Sequence, residues 1–254
     1  MTVRFKKNNK NAVIDDFKGK SKYYYERIYL EGKDPKRISR LKETDNFLKN
    51  FDLNNKTVLD AGSGPAVLYD LINKHKGIYY AIDISPDNIK SAKKRIPGLN
   101  ATVGSVDNTG FTNDKFDFII SLGCIEYIKD AEKVMSEFKR ILKPGGIMVI
   151  SFANLYCSSR LWDETIIRPL IIIKKKIKKL PYYRRYLHSL NFVSQILKEN
   201  GLALSEIRFI NFSIAGYPFS SLELIRIMEL RILSLFKSLN RFSSEFLVIG
   251  RKEQ

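Results

Sequence analysis

Two cysteines and two histidines in 254 residues make no zinc-ligand array, so no metal is expected. Cys124 and Cys157 fall on or just after apolar runs that read as core strands. They read as buried thiols in a reducing compartment rather than as a disulfide framework. No run approaches the roughly 20 apolar residues of a membrane span. The first ten residues, Met1 to Lys10, are basic and lack an apolar segment, so a secretory leader is not expected and the chain reads as cytoplasmic. Acids are scarce too: 27 Asp and Glu stand against 44 Lys and Arg, a net charge of +17. Between Ile166 and Leu187 there is no acid at all. What is present is 44% apolar residues, enough for one core and one modest insertion.

The chain is organised around residues 57 to 71. Val58 and Leu59 end a short apolar strand, and Asp60 closes it. Gly62 and Gly64 permit a tight turn and a close backbone approach. From Val67 the apolar spacing becomes helical, through Leu68, Leu71 and Ile72. Strand, glycine turn and helix are the context of a nucleotide-binding loop. The loop has neither a third glycine nor a Gly-Lys-Ser/Thr ending, so it is poorly equipped for a polyphosphate. A ligand with a ribose and a compact polar tail fits better. About twenty residues on, Tyr79 to Asp83 reads as a second strand ending in an acid that can accept hydrogen bonds from ribose hydroxyls.

Together, Val58-Leu-Asp-Ala-Gly-Ser-Gly-Pro-Ala66, Asp83, the block Phe116 to Asp130 and the block Phe138 to Ile150 resemble the class I S-adenosyl-L-methionine (SAM)-dependent methyltransferases, in their small-molecule and lipid group. The resemblance implies an α/β fold with a Rossmann-like seven-stranded sheet. That sheet is mostly parallel, its antiparallel last strand lies between the fifth and sixth, and helices cover both faces. It implies SAM as cofactor, held by Asp60, Gly62, Ser63, Gly64, Asp83 and Ile84. Ser105, Val106 and Asp107 would lie at the adenine, and Ser121 at the tip of the fourth strand. Ala66 replaces the third glycine and should narrow the loop. Ser105 stands where the family often has an acid. Either Asp107 takes over, or backbone groups and the Ser105 hydroxyl read the adenine.

Four segments follow from the pattern. Residues 1–56 read as an N-terminal tail and covering helices, with about the first 20 frayed. Residues 57–156 form the cofactor-binding half. Residues 157–187 are a basic amphipathic insertion or lid. Residues 188–254 complete the same core and carry a second amphipathic stretch, Pro218 to Asn240. Methyl transfer from a sulfonium mainly needs positioning and exclusion of water. A hydroxyl acceptor usually also wants a general base. His188, which opens the helix after the insertion, is the leading candidate, with a helix cap or a satisfied surface histidine as the rival readings. Glu126 and Tyr127, in the turn after the fourth strand, could face the substrate, or Glu126 could cap a helix or pair with a basic neighbour. Tyr24, Tyr25, Asn154 and Arg160 are candidate substrate contacts.

Isoleucines beside clustered lysines in the insertion fit a helix lying on an anionic membrane surface. The acceptor would then be an oxygen or nitrogen on a small molecule, a lipid or a lipid-linked intermediate. Two alternatives stay open: an RNA methyltransferase that uses the basic insertion, and a non-catalytic partner protein with the same fold.

Overall fold

A computed structural model describes residues 9–21, 25–26, 35–160, 163–179, 183, 185–212, 228 and 236–253. Seven strands form one sheet: β1 (Thr57–Ala61), β2 (Ile78–Asp83), β3 (Asn100–Val103), β4 (Phe116–Ser121), β5 (Leu142–Ala153), β6 (Leu202–Ile210) and β7 (Glu245–Lys252). Their order is β3-β2-β1-β4-β5-β7-β6. Pairing is parallel from β3 through β5, and β7 runs antiparallel to both β5 and β6. This is the arrangement expected from the sequence. The chain steps outward from β1 to β3, then returns to the other side of β1 with β4. The carboxyl ends of β1 and β4 therefore flank a crevice, where open α/β sheets bind ligands.

The helices are α1 (Asn9–Phe17), α2 (Pro35–Leu48), α3 (Tyr69–Lys74), α4 (Pro86–Arg95), α5 (Ala131–Ile141), α6 (Arg168–Ile177) and α7 (Leu190–Glu199). Strand residues divide between two cores, one on each face of the sheet. Phe116 and Ile119 pack with Val134 and Phe138 of α5 and with Val193 and Ile196 of α7. Phe118 and Ile120 share the opposite core with Leu48 of α2, Ile72 of α3 and Ile89 of α4. Both faces are covered, which is why the strands read as continuous apolar runs. Ser85 caps α4 by accepting from Asn88 N, with Pro86 at the first helical position.

The structure differs from the sequence reading at several places. Residues 9 to 17 are helical, not frayed, because Ala12 and Val13 are buried against the rest of the molecule. Lys143 to Gly146 is part of a strand. It lies within β5 as a bulge: Phe116 pairs with Leu142, whereas Phe118 pairs with Ile147. Ser189, rather than His188, caps α7 by accepting from Phe192 N. Most of the second amphipathic stretch, like Tyr24, lies outside the described residues.

The insertion leaves the sheet after β5 and carries a π-helical turn (Asp163–Ile167) followed by α6. It returns where His188 N donates to Ala153 O and Leu155 N donates to His188 O, both at 2.9 Å.

Candidate active site

A cavity of about 240 Å³ opens at the carboxyl ends of β1, β2 and β4. The glycine turn forms its floor. Gly62 and Gly64 have φ of +77° and +54°, in the left-handed region. Gly62 N and Ser63 N both donate to Ile82 O, which straps the turn to β2. A Cβ on Gly62 would overlap the Cys124 side chain, whereas one on Gly64 would meet nothing within 4 Å. Ala66 also has positive φ, +59°, and is fully buried. The backbone thus keeps the conformation that glycine favours at this position, at a cost of about 1 kcal/mol for an L-residue.

Asp83 forms one wall. Its carboxylate accepts from Gly64 N at 2.8 Å, Ser85 N at 2.8 Å and Asn88 Nδ2 at 3.0 Å. Burial pushes its pKa up, opposed by those hydrogen bonds. Beside it, Asn88 Oδ1 is buried and has no partner. Both residues line the cavity. Asp60 also lines it. Tyr79 Oη donates to Asp60 Oδ2 at 2.6 Å, and burial pushes the Asp60 pKa up to about 7.

At the far end, Ser63, Ile84, Ser105 and Val106 line the cavity. Lys10 of α1 reaches in and donates to Ser105 Oγ at 2.9 Å and to both Asp107 oxygens at 2.8 Å. Ser105 Oγ in turn donates to Asp107 Oδ1. Asp107 therefore stands beside the cavity, paired to a cation, rather than in its lining. Ser121 is fully buried, and its hydroxyl donates to Ala61 O at 2.9 Å, outside the lining.

The opposite end carries an ionic chain in which Glu126 pairs with basic side chains, one of its expected roles, and which Arg40 extends to Glu245. Arg40 of α2 donates to Glu245 of β7 at 2.5 and 2.6 Å. Arg40 also lies 3.7 Å from Glu126 Oε2, and Arg185 donates to Glu126 Oε1 at 2.8 Å. All four residues line the cavity. Burial pushes the Glu126 pKa up, but the guanidiniums of Arg185 and Arg40 outweigh it and hold the carboxyl below its ordinary value. Glu126 Oε2 is buried without a hydrogen-bond partner. Tyr127 lines the cavity beside it, edge-on to Phe17 of α1 and to Tyr183.

The other expected substrate contacts lie elsewhere. His188 is buried outside the lining, its ring stacked on Phe192 and edge-on to Phe152. Burial lowers its pKa, with Glu126 acting weakly in the other direction. Asn154 Nδ2 donates to Arg241 O and Ser243 O, and its Oδ1 accepts from Tyr156 N. Arg160 donates to Leu155 O at 2.6 Å. Tyr25 lies under the Arg95 guanidinium, 3.9 Å from the ring centre, and donates to Asp70. Tyr24 falls outside the described residues. Among the described residues no group of His, Cys, Asp and Glu could hold a metal.

Residues 59–150 match the family model for a methyltransferase domain. The chain is 28% identical over 116 residues to a phthiotriol/phenolphthiotriol dimycocerosates methyltransferase of Mycobacterium leprae, covering 44% of this chain and 42% of that one. It is 27% identical over 168 residues to a ubiquinone biosynthesis O-methyltransferase of Coxiella burnetii, covering 65% and 70%. In fold it is similar to magnesium protoporphyrin IX methyltransferase of Synechocystis PCC 6803 solved with S-adenosylhomocysteine. That match has a TM-score of 0.63 and 17% identity, and covers 97% of this chain and all of the other.

Proposed function

We propose that this chain, which belongs to the class I SAM-dependent methyltransferases, transfers a methyl group to an oxygen or nitrogen of a small-molecule, lipid or lipid-linked acceptor at a membrane surface. The observation that carries the reading is the pair formed by the Asp83 carboxylate and the unpartnered, buried Asn88 Oδ1, beside the open side of Gly64. Two acceptors at the edge of an uncrowded glycine turn suit the hydroxyls of a ribose, so the residues present fit the cofactor.

When bound, SAM supplies an electrophilic methyl for in-line displacement. The chain's own residues supply position and dryness. Asp83 and Asn88 would hold the ribose, the Gly62–Gly64 backbone would lie against the tail, and Ser105 with Val106 would flank the adenine. Lys10 closes that end from α1. On the acceptor side, Glu126 Oε2 would take a hydrogen bond from the O–H or N–H that is to be methylated. Two arginines keep this carboxylate ionised but weaken it as a base. Its main task is therefore to orient the acceptor rather than to strip a proton from an unactivated alcohol. Tyr127 packs beside the acceptor. His188 fixes the point where the insertion rejoins the sheet. The relatives named for ubiquinone biosynthesis and for phthiotriol dimycocerosates support a lipid-type acceptor. An RNA acceptor is disfavoured by the exposed aliphatic residues of α6, which offer no base-stacking platform.

Calorimetric titration with S-adenosylhomocysteine tests the cofactor site, with Asp83→Ala as control. Micromolar binding that the control weakens about a hundredfold is expected. An acceptor screen weighted toward lipid-linked compounds follows. Folded protein that binds no S-adenosylhomocysteine would overturn the reading and favour a non-catalytic partner role.

A further inference from the structure

Helix α6 turns Arg168 and Lys175 toward the protein and Leu170, Ile173 and Ile177 toward solvent. Leu170, Ile173 and Ile177 recur every three to four residues, so they share one helical face. They are 59%, 55% and 76% exposed, and Ile166 in the turn before them is 40% exposed. The half-buried positions, Arg168, Ile172 and Lys175, lie on the opposite side of the helix. Lys175 fixes this orientation by donating to Asp16 of α1 at 3.1 Å, with its ammonium over the Tyr183 ring. Lys174 and Lys178 flank the exposed stripe on one side and Lys176 on the other, all exposed. A helix that stabilised the fold by burial would be turned the other way round.

We propose that the Leu170–Ile173–Ile177 stripe is an interfacial anchor that seats the protein on an anionic lipid bilayer. The purpose assigned to it rests on the lipid-acceptor reading above. Aliphatic side chains would enter the acyl boundary while the lysines meet anionic headgroups, the arrangement by which an interfacial helix lies in the membrane plane. Charge complementarity selects the partner, since no acid occurs from Thr165 through Leu187 to repel an anionic surface. The anchor also adjoins the site. Asp16, which holds Lys175, precedes Phe17, a cavity-lining residue. An acceptor drawn from the bilayer under α6 would thus emerge beside the cavity wall.

Flotation with mixed phosphatidylcholine–phosphatidylglycerol vesicles and with pure phosphatidylcholine vesicles tests this, using the whole chain. The protein should float with the mixed vesicles only, and less at high salt. The double substitution of Ile173→Glu and Ile177→Glu should abolish flotation. Each of Lys174→Gln and Lys178→Gln should weaken it about fivefold. All of these residues are exposed, and unchanged S-adenosylhomocysteine binding by the variants certifies their fold and cofactor site. Three results would overturn the anchor: no flotation, flotation that survives the double substitution, or a dimer in lipid-free solution that the double substitution dissociates. Because vesicle binding and cofactor binding are read separately, failure of either leaves the other standing.

Discussion

Arg185 Nη2 donates to Glu126 Oε1 across 2.8 Å, tying the end of the insertion to the turn after β4. Tyr186 N adds a bond to Glu126 O at 2.7 Å. Removing the guanidinium leaves the buried carboxylate with Arg40, 3.7 Å away, as its remaining cation. Arg185 is half exposed, so Arg185→Ala should cost less than the loss of a fully buried partner, about 1–2 kcal/mol. Urea unfolding measures this. Glu126→Gln should leave S-adenosylhomocysteine affinity within about twofold but lower kcat about tenfold, the loss expected when a charge-assisted hydrogen bond that orients the acceptor becomes a neutral one. Kinetics with the acceptor found by screening measure the second effect, and equal losses in both quantities would count against an acceptor-facing role.

Asp83 has two tasks, and its substitutions separate them. The carboxylate pins Gly64, Ser85 and Asn88, and it offers acceptors to a ligand. Asp83→Ala loses both and should weaken S-adenosylhomocysteine about a hundredfold, as expected for two charge-assisted hydrogen bonds. Asn88→Ala removes only one cavity acceptor and one pin, and about a tenfold loss is expected. Calorimetry ranks the two.

The pH dependence of stability follows from Asp60. Its pKa is raised from 3.8 to about 7, chiefly by burial. An acid raised in this way binds its proton more tightly when folded. Its contribution is full below the unfolded pKa and disappears as pH rises through about 7. The span corresponds to something on the order of 4 kcal/mol. His188 works the other way: its lowered pKa gives stability above 6.5 that is lost as pH falls. In wild type the urea midpoint should fall between about pH 5 and 7. In Asp60→Asn, whose amide oxygen still accepts from Tyr79, the fall should shrink to what the raised Asp83 pKa leaves, opposed by His188.

The two glycines of the turn should respond differently. Gly62→Ala places a Cβ 2.6 Å from Cys124 Cβ at a φ of +77°. It should cost about 1–3 kcal/mol and disturb the cavity wall. Gly64→Ala meets nothing within 4 Å, so stability should fall by only about 1 kcal/mol. Its methyl nonetheless projects where a ligand would lie, so S-adenosylhomocysteine affinity should drop more than stability does. Thermal melts alongside calorimetry separate the two effects.

The cofactor half of the site is legible because its chemistry is local. A tight turn needs Gly62 and Gly64, and a strand tip puts Asp83 beside them within one supersecondary unit. Asn88 could have been found as well, since it stands three residues after Ser85, in the pattern Ser-Pro-Asp-Asn that opens a helix. The acceptor end is not local. Arg40 and Glu245 are 205 residues apart, and each reads alone as a solvated charge. Helix α1 was hidden for the same reason. Asn9 to Phe17 is mostly polar, and it is held by distant partners, Lys10 by Asp107 and Asp16 by Lys175. The sequence brings His188 near the correct strand tip, but linear order does not say which way a ring points. Packing on Phe152 and Phe192 turns it into the core.

The bonds that join Ala153 and Leu155 to His188 make the insertion a closed excursion: the chain leaves and re-enters the sheet at one point. Its two ends are held together by the core whatever lies between them. Lengthening the intervening segment changes little of the closure entropy, which grows only with the logarithm of loop length. The region between Cys157 and the Arg185 and Tyr186 contacts to Glu126 is therefore a graft site. Another segment could be spliced in at the same two stems, giving the catalytic frame a different acceptor or a different surface to work on without rewriting a strand of the sheet.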